Sequence, residues 1–316
     1  MSGVILSVIV PVKDEQEAIE PFVARVRGVI ESLPDPASDS FEILFIDDGS
    51  TDSTMDKIRA AHAVDKRIRA VSLSRNFGKE AALSAGLDHG RGEAIVPMDA
   101  DLQDPPELLG EMLAKWREGF EIVYGVRNNR ETDSLPKRLT ADLYYRAHNW
   151  LSADKIPEHA GDFRLLDRKV ADVIRRMPER TRFMKGLFAW AGFRQASVSY
   201  TREPRRIGKT KFDYWKLWTF ALDGITSAST VPLRVWSYLG GTVALFAMGY
   251  ALFVVVRTLI SGVEVPGYAS LMVAVLFLGG LQLLSLGILG EYVGRIMTET
   301  KNRPLYVVRE QVGGEE

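Results

Sequence analysis

The sequence predicts an α/β fold, a mainly parallel sheet with helices on both faces, followed by a two-helix membrane hairpin. Three observations carry this expectation. Apolar, β-branched runs alternate with stretches of helical periodicity through the N-terminal part. Polar and charged residues gather where those runs end. Near the C-terminus, two long stretches carry no charge at all. The 316 residues, 46% hydrophobic and 26% charged, suffice for a sizeable core and more than one unit.

The elements follow in order. "ILSVIVPV" (Ile5 to Val12) is continuously apolar, as in a strand buried on both faces. Ala18 to Leu33 carries Ile19, Phe22, Val23, Val26 and Ile30 at helical spacing. "FEILFID" (Phe41 to Asp47) is the next strand and Ser53 to Ala63 the next helix. "IRAVSLS" (Ile68 to Ser74) and Lys79 to Asp88 repeat the pair. "AIVPM" (Ala94 to Met98), a helix over Pro106 to Arg117 and "EIVYG" (Glu121 to Gly125) complete the alternation. Strand–helix alternation of this kind implies parallel strands joined by crossovers.

"VWSYLGGTVALFAMGYALFVVV" (Val235 to Val256) and "VPGYASLMVAVLFLGGLQLLSLGILG" (Val265 to Gly290) contain no charge. Each reaches the roughly 20 apolar residues that span a bilayer. The short loop between them, containing Glu264, makes the pair an antiparallel hairpin. Lys209, Lys211, Lys216 and Arg234 precede it; Arg295, Lys301 and Arg303 follow it. Positive flanks place both ends in the cytoplasm, with Arg257 the one opposing charge. "GVILSVIVPV" is too short for a signal peptide and lacks a basic leader. "FDYWKLWTFALDGITSAS", just before the hairpin, is rich in aromatics and reads as an amphipathic helix on the membrane surface or against the core.

A net charge of −1 gives no basic field for nucleic acid. Zero cysteines exclude disulfides and thiolate chemistry. His62, His89, His148 and His159 lack metal-ligand spacing, and Arg175, Arg176, Arg180 and Arg182 read as lipid-headgroup contacts or solvated helix faces.

In parallel α/β sheets, ligands bind beyond the carboxyl ends of the strands. Those ends carry Lys13, Asp14 and Glu15, then "DDGSTD" (Asp47 to Asp52), then Ser74, Arg75 and Asn76, then "DADLQD", then Gly125 and Arg127. No G-x-G-x-x-G follows the first strand, which argues against a dinucleotide fold. Asp99 and Asp101 can approach one hard cation, whereas Asp104 and Glu107 sit where a helix start would be capped. Asp47 and Asp48 could bind a ribose or base; Ser50, Thr51 and Asp52 could instead cap a helix near Thr54.

"VIVPVKDE", "FIDDGSTD", "MDADLQDPPE", "GVRNNR", "GDFRLLDR" and "RRIGKTKF" occur in that order. Together with the hairpin they resemble the family 2 glycosyltransferases of GT-A fold. More narrowly, they resemble the polyisoprenyl-phosphate glycosyltransferases, dolichol-phosphate mannose synthases and bactoprenol glucosyltransferases of the GtrB type. The Q-x-x-R-W motif of processive relatives is missing, which implies a single transfer per acceptor. The resemblance divides the chain into a GT-A domain over 1–212, an interfacial segment over 213–233, a transmembrane hairpin over 234–291 and a cytoplasmic tail over 292–316.

The resemblance also assigns roles. Pro11, Val12, Glu15, Ile46 and Asp48 would surround the nucleoside. Asp99, Ala100, Asp101 and Gln103 would engage the sugar diphosphate, with Asp99 and Asp101 on Mg²⁺ or Mn²⁺. Arg127 matches the arginine after the fifth strand, and Asp162 the catalytic acid, as base or orienting group. Arg205 (with Arg206 beside it) and Lys211 match the basic pair that approaches phosphate. The implied reaction is inverting transfer of a hexose from a nucleotide sugar, UDP-glucose first and GDP-mannose or UDP-galactose as alternatives, to undecaprenyl phosphate. A homo-oligomer in the bacterial inner membrane, supplying a sugar donor for envelope glycans, completes the expectation. The competing class is a catalytically silent membrane scaffold.

Overall fold

A computed structural model describes residues 3–127, 160–180, 182, 184–201, 231–261 and 267–314. Its strands are β1 (Leu6–Val12), β2 (Phe41–Asp47), β3 (Ile68–Leu73), β4 (Ala94–Pro97), β5 (Ile122–Arg127), β6 (Ala160–Asp167), β7 (Gln195–Tyr200) and β8 (Val308–Val312). Helices α1 (Ile19–Glu31), α2 (Thr54–Val64), α3 (Lys79–His89) and α4 (Leu109–Arg117) alternate with the first five strands. Helices α5 (Arg168–Arg176) and α6 (Met184–Trp190) follow β6. Two long helices, α7 (Val231–Ser261) and α8 (Tyr268–Thr300), precede β8.

One eight-stranded sheet runs β7-β5-β6-β4-β1-β2-β3-β8. The central strands β4, β1, β2 and β3 are parallel, as the alternation implies. β6 is antiparallel to both β4 and β5, and β8 is antiparallel to β3. The core divides by face. Val8 and Val10 join Phe22, Ile30, Ile58 and Met112 beneath α1, α2 and α4. Ile9 and Ile46 join Leu83, Ile174 and Phe188 beneath α3, α5 and α6. β1 is therefore apolar at successive positions because both of its faces are covered. On the second face α3 lies so close that a Cβ on Gly86 would clash with Cγ2 of Ile9.

The amino ends of the strands hold a buried polar knot. Glu42 takes the Arg69 guanidinium at 2.6 Å, the Ser7 hydroxyl at 2.5 Å and the Arg91 amide at 2.6 Å. A carboxylate this deep is tolerable because each oxygen is occupied.

The segment expected to trail as a tail, 292–316, instead carries the last turns of α8 and the edge strand β8. The antiparallel ladder, the Arg59–Glu310 fork at 3.1 and 2.8 Å, and the Tyr306 hydroxyl donating to Asp88 at 2.8 Å hold it. Exposed β3 edge amides need a partner, and these residues supply it.

α7 and α8 match the two charge-free runs. At 1.5 Å per residue, 31 and 33 residues span about 46 and 50 Å, more than the roughly 30 Å of hydrocarbon. Phe246, Leu259 and Leu283 are 77%, 82% and 72% exposed. A helix of a soluble core would bury such residues, yet none of the apolar window of α8 is buried. Of the expected interfacial segment, 213–233, residues 213–230 lie outside the described residues and the last three begin α7.

Candidate active site

The carboxyl edge of the sheet is built by three interlocked loops. Val12 pairs with Asp47, so the loops after β1 and β2 leave side by side. Asp14, at φ 52°, accepts the Thr51 amide at 2.8 Å and its own amide donates to the Ser50 hydroxyl at 2.9 Å. That amide donor holds the Asp14 carboxyl below its ordinary range. The Glu15 amide donates to the Thr54 hydroxyl at 3.0 Å. Asp52, one residue before the N-cap position Ser53, accepts the Thr54 amide at 3.0 Å and so holds the start of α2, while Ser53 itself makes no side-chain cap bond.

Asp47 and Asp48 divide their work. Asp47 accepts the Ser50 amide at 2.9 Å and the Ser72 hydroxyl at 2.7 Å. Asp48 accepts the Phe77 and Gly78 amides at 2.6 and 2.9 Å, and so pins the loop after β3 against the loop after β2. Gly49 makes that contact possible. It sits at φ +70°, and a Cβ there would lie 2.6 Å from the carbonyl carbon of Arg75.

β4 delivers the acidic motif. Asp99 is half-exposed, and its two oxygens lie 2.7 and 2.8 Å from the Lys79 ammonium. Asp101, partly buried, accepts the Gln103 amide at 3.1 Å in a bend where Leu102 takes φ 54°. Asp99, Asp101 and Gln103 thus share one bend, with Ala100 buried behind them. Asp104 was expected to cap the following helix. It is instead buried and accepts the Tyr200 hydroxyl of β7 at 2.5 Å, while the cap position before the 3₁₀ turn is Pro105. Glu107 does lie in the first turn, where Arg25 of α1 grips it in a fork at 3.1 and 3.0 Å.

Of the expected nucleoside contacts, Pro11 is partly exposed and Val12 buried, adjacent in register to Ile46 and Asp47. Ile46 is fully buried in the second core face, which leaves its backbone as the reachable part. Arg127 ends β5 and Asp162 lies in β6; their side chains fall outside the described residues. β4 and β6 pair antiparallel with Ala94 opposite Asp167 and Ile95 opposite Leu166. The ladder stops there, and Asp162 lies four residues before Leu166 on β6, in the stretch where the β5–β6 register shifts. Arg205, Arg206 and Lys211 lie outside the described residues.

Sequence reading missed Lys79. The signal was its position: a cation in the first turn of a helix opposes the macrodipole and calls for a compensating anion. Asp99 is that anion. The edge therefore offers two hard carboxylates, a lysine beside one of them, and amide-rich loops that an anionic ligand can meet.

Known families fit this arrangement. Residues 7–175 match the model of glycosyl transferase family 2, and residues 231–296 match that of the GtrB C-terminal hairpin. A glycosyltransferase of Synechocystis described as uncharacterized is 51% identical over 308 residues, 98% of this chain and 96% of that protein. The SfII prophage-derived bactoprenol glucosyl transferase of Shigella flexneri is 47% identical over 309 residues, 98% and 99% of the two chains. A prophage bactoprenol glucosyl transferase homolog of Escherichia coli is 48% identical over 304 residues, 96% and 98%. Fold, acidic edge, hairpin and near full-length identity agree: the chain belongs to glycosyl transferase family 2, is a glycosyltransferase, and carries the GtrB C-terminal hairpin.

Proposed function

We propose that this glycosyltransferase moves a glucose from UDP-glucose, with inversion, to undecaprenyl phosphate at the cytoplasmic face of the bacterial inner membrane. The observation that carries the reading is the half-exposed Asp99 beside Asp101 on the carboxyl edge of a sheet whose chain continues into lipid-facing helices. Bactoprenol glucosyl transferases at 47% identity support the lipid phosphate acceptor. A long isoprenoid chain cannot leave the bilayer cheaply, at about 0.8 kcal/mol per CH₂, so the enzyme must come to the phosphate.

The donor set suits a divalent ion. Asp99 and Asp101 offer only hard oxygens, and Asp99 already draws a cation in Lys79. Mg²⁺ or Mn²⁺ commonly takes one or two carboxylates plus substrate phosphates. When bound, such an ion would offset charge growing on the departing nucleoside diphosphate. Lys79, and Arg127 with Arg205 and Lys211 in the family's roles, would do the same from the protein side. The acceptor phosphate is already anionic near neutral pH, since a phosphate monoester's second pKa is about 6. Asp162 therefore has more to do in orienting the attacking oxygen than in removing a proton. The positive flanks of the hairpin put the catalytic domain in the cytoplasm, and self-association through the hairpin belongs to the same proposal.

Purified full-length protein incubated with UDP-[¹⁴C]glucose, Mg²⁺ and undecaprenyl phosphate should yield butanol-soluble radioactivity. None with UDP-glucose, but product with GDP-mannose or UDP-galactose, would reassign the donor. None with any nucleotide sugar would sink the reaction.

A further inference from the structure

A basic cleft of about 400 Å³ lies beside the candidate active site and is used by nothing described above. Three pieces of chain form it. Arg75 and Glu80 come from the loop after β3 and the first turn of α3; Arg180 and Arg182 precede α6; Lys301 and Arg303 follow α8. Five cationic side chains thus face a single carboxylate, and Glu80 accepts the Met184 amide at 3.3 Å. Among the described residues none of the five is in an ion pair. The Arg182 guanidinium donates only to neutral acceptors, the Ser84 hydroxyl at 3.2 Å and the Met177 and Glu179 carbonyls at 2.9 and 3.3 Å. Burial pushes that guanidinium below its ordinary value. The Nε of Arg180 is buried with no acceptor among the described residues. Glu299 beside Arg180, and Asp88 and Glu179 near Arg182, offset part of this charge; five cations still outnumber the carboxylate on the lining, an excess that a bound anion would relieve.

Position says which anion. Thr298, on the lining, lies two turns past Gly290, where the charge-free run ends, or about 12 Å at 1.5 Å per residue. The headgroup layer is roughly 5–7 Å deep on each side, and helix tilt shortens the remaining gap. On its inner side the cleft shares α3 with Lys79, which touches Asp99. Guanidinium forks match phosphate oxygens in pairs, and two here are already held, Arg182 by the bonds above and Arg180 by donating to the Asn302 side-chain oxygen.

We propose that this cleft binds the phosphate ester of a membrane lipid, between the bilayer surface and the Asp99–Asp101 edge. The acceptor polyprenyl phosphate and an anionic phospholipid share that chemistry. The proposal does not rest on the transfer reaction; a chain without transferase activity would give the same binding result.

The test reads binding. Full-length protein in phosphatidylcholine nanodiscs is titrated calorimetrically with farnesyl phosphate, alone and with phosphatidylglycerol added to the disc, and separately with inorganic phosphate. The double variant Lys301→Gln/Arg303→Gln, on exposed residues, should weaken farnesyl phosphate about tenfold or more. Arg182→Lys, which keeps the charge and loses the fork, should weaken it severalfold. Both variants support the proposal if phosphatidylglycerol leaves the wild-type Kd alone, which points to the acceptor, or if it competes, which points to bulk phospholipid. An unchanged Kd in both variants, or equal affinity for inorganic phosphate, would overturn it.

Discussion

Lys79 and Asp99 show how single residues set the state of the site. Their pair is half-exposed on both sides, so its attraction is worth no more than about 1 kcal/mol. A divalent ion must compete with the ammonium for the same oxygens. Lys79→Met should therefore tighten Mn²⁺ binding about two- to fivefold in the presence of UDP, read by electron paramagnetic resonance; weaker binding would mean that Lys79 acts chiefly on the diphosphate. Gly49 is the second such residue. Gly49→Ala should cost about 1–3 kcal/mol in urea unfolding, since the new Cβ meets the Arg75 backbone at φ +70°. A neutral result would show that the two loops can part. The acidic residues of "DADLQD" were legible as a site because three carboxyl groups at a strand end exceed what capping needs. Asp104 was not legible: its partner, Tyr200, lies far along the chain, and no local pattern announces that contact.

At the scale of elements, the five predicted strands and four predicted helices stand within a few residues of their expected bounds. Their apolar periodicity is strong because both sheet faces are covered. β6, β7 and β8 were not foreseen. Each takes its place through pairing with strands distant in sequence, and β8 is a five-residue edge strand whose centre, Arg309-Glu310-Gln311, is polar. The Glu42 knot ties β2 to β3 and β1. Glu42→Ala should cost about 3–5 kcal/mol by stranding Arg69, whereas Ser53→Ala on the surface should cost little. Equal stability of the two variants would refute the ledger of that knot. His89, at the end of α3, stacks edge-on against Tyr306 just before β8. Burial lowers the His89 pKa from 6.5, so the unfolded chain binds the proton first as pH falls. Its contribution to stability is full above about 6.5 and declines below it. His89→Gln should flatten unfolding free energy against pH between 6.5 and the lowered folded-state value; an unchanged slope would place that titration elsewhere.

For the whole molecule, the decisive feature is that α8 does not end in a loose tail. From Thr300 the chain passes along the basic cleft and into β8, so the sheet is fastened to the long apolar helix α8 by a ladder and three side-chain bonds. Under the proposed function this would hold the acidic edge at a fixed spacing from the bilayer, which suits an acceptor whose phosphate cannot travel. The sequence holds no cysteine, so topology can be read cleanly with single introduced ones. Ser261→Cys, at the end of α7, should react with an impermeant maleimide in intact cells. Ser53→Cys should react only after permeabilisation, and the opposite pattern would invert the hairpin.

If the Asp99–Asp101 edge performs sugar transfer to a lipid phosphate, one substitution there abolishes the product. Wild type and Asp101→Ala are assayed side by side for butanol-soluble product from UDP-[¹⁴C]glucose, undecaprenyl phosphate and Mg²⁺. Their unfolding midpoints are matched first. Wild type should turn over, and Asp101→Ala should lose at least about a hundredfold with an unchanged midpoint. Wild-type turnover in a folded Asp101→Ala protein would contradict the account.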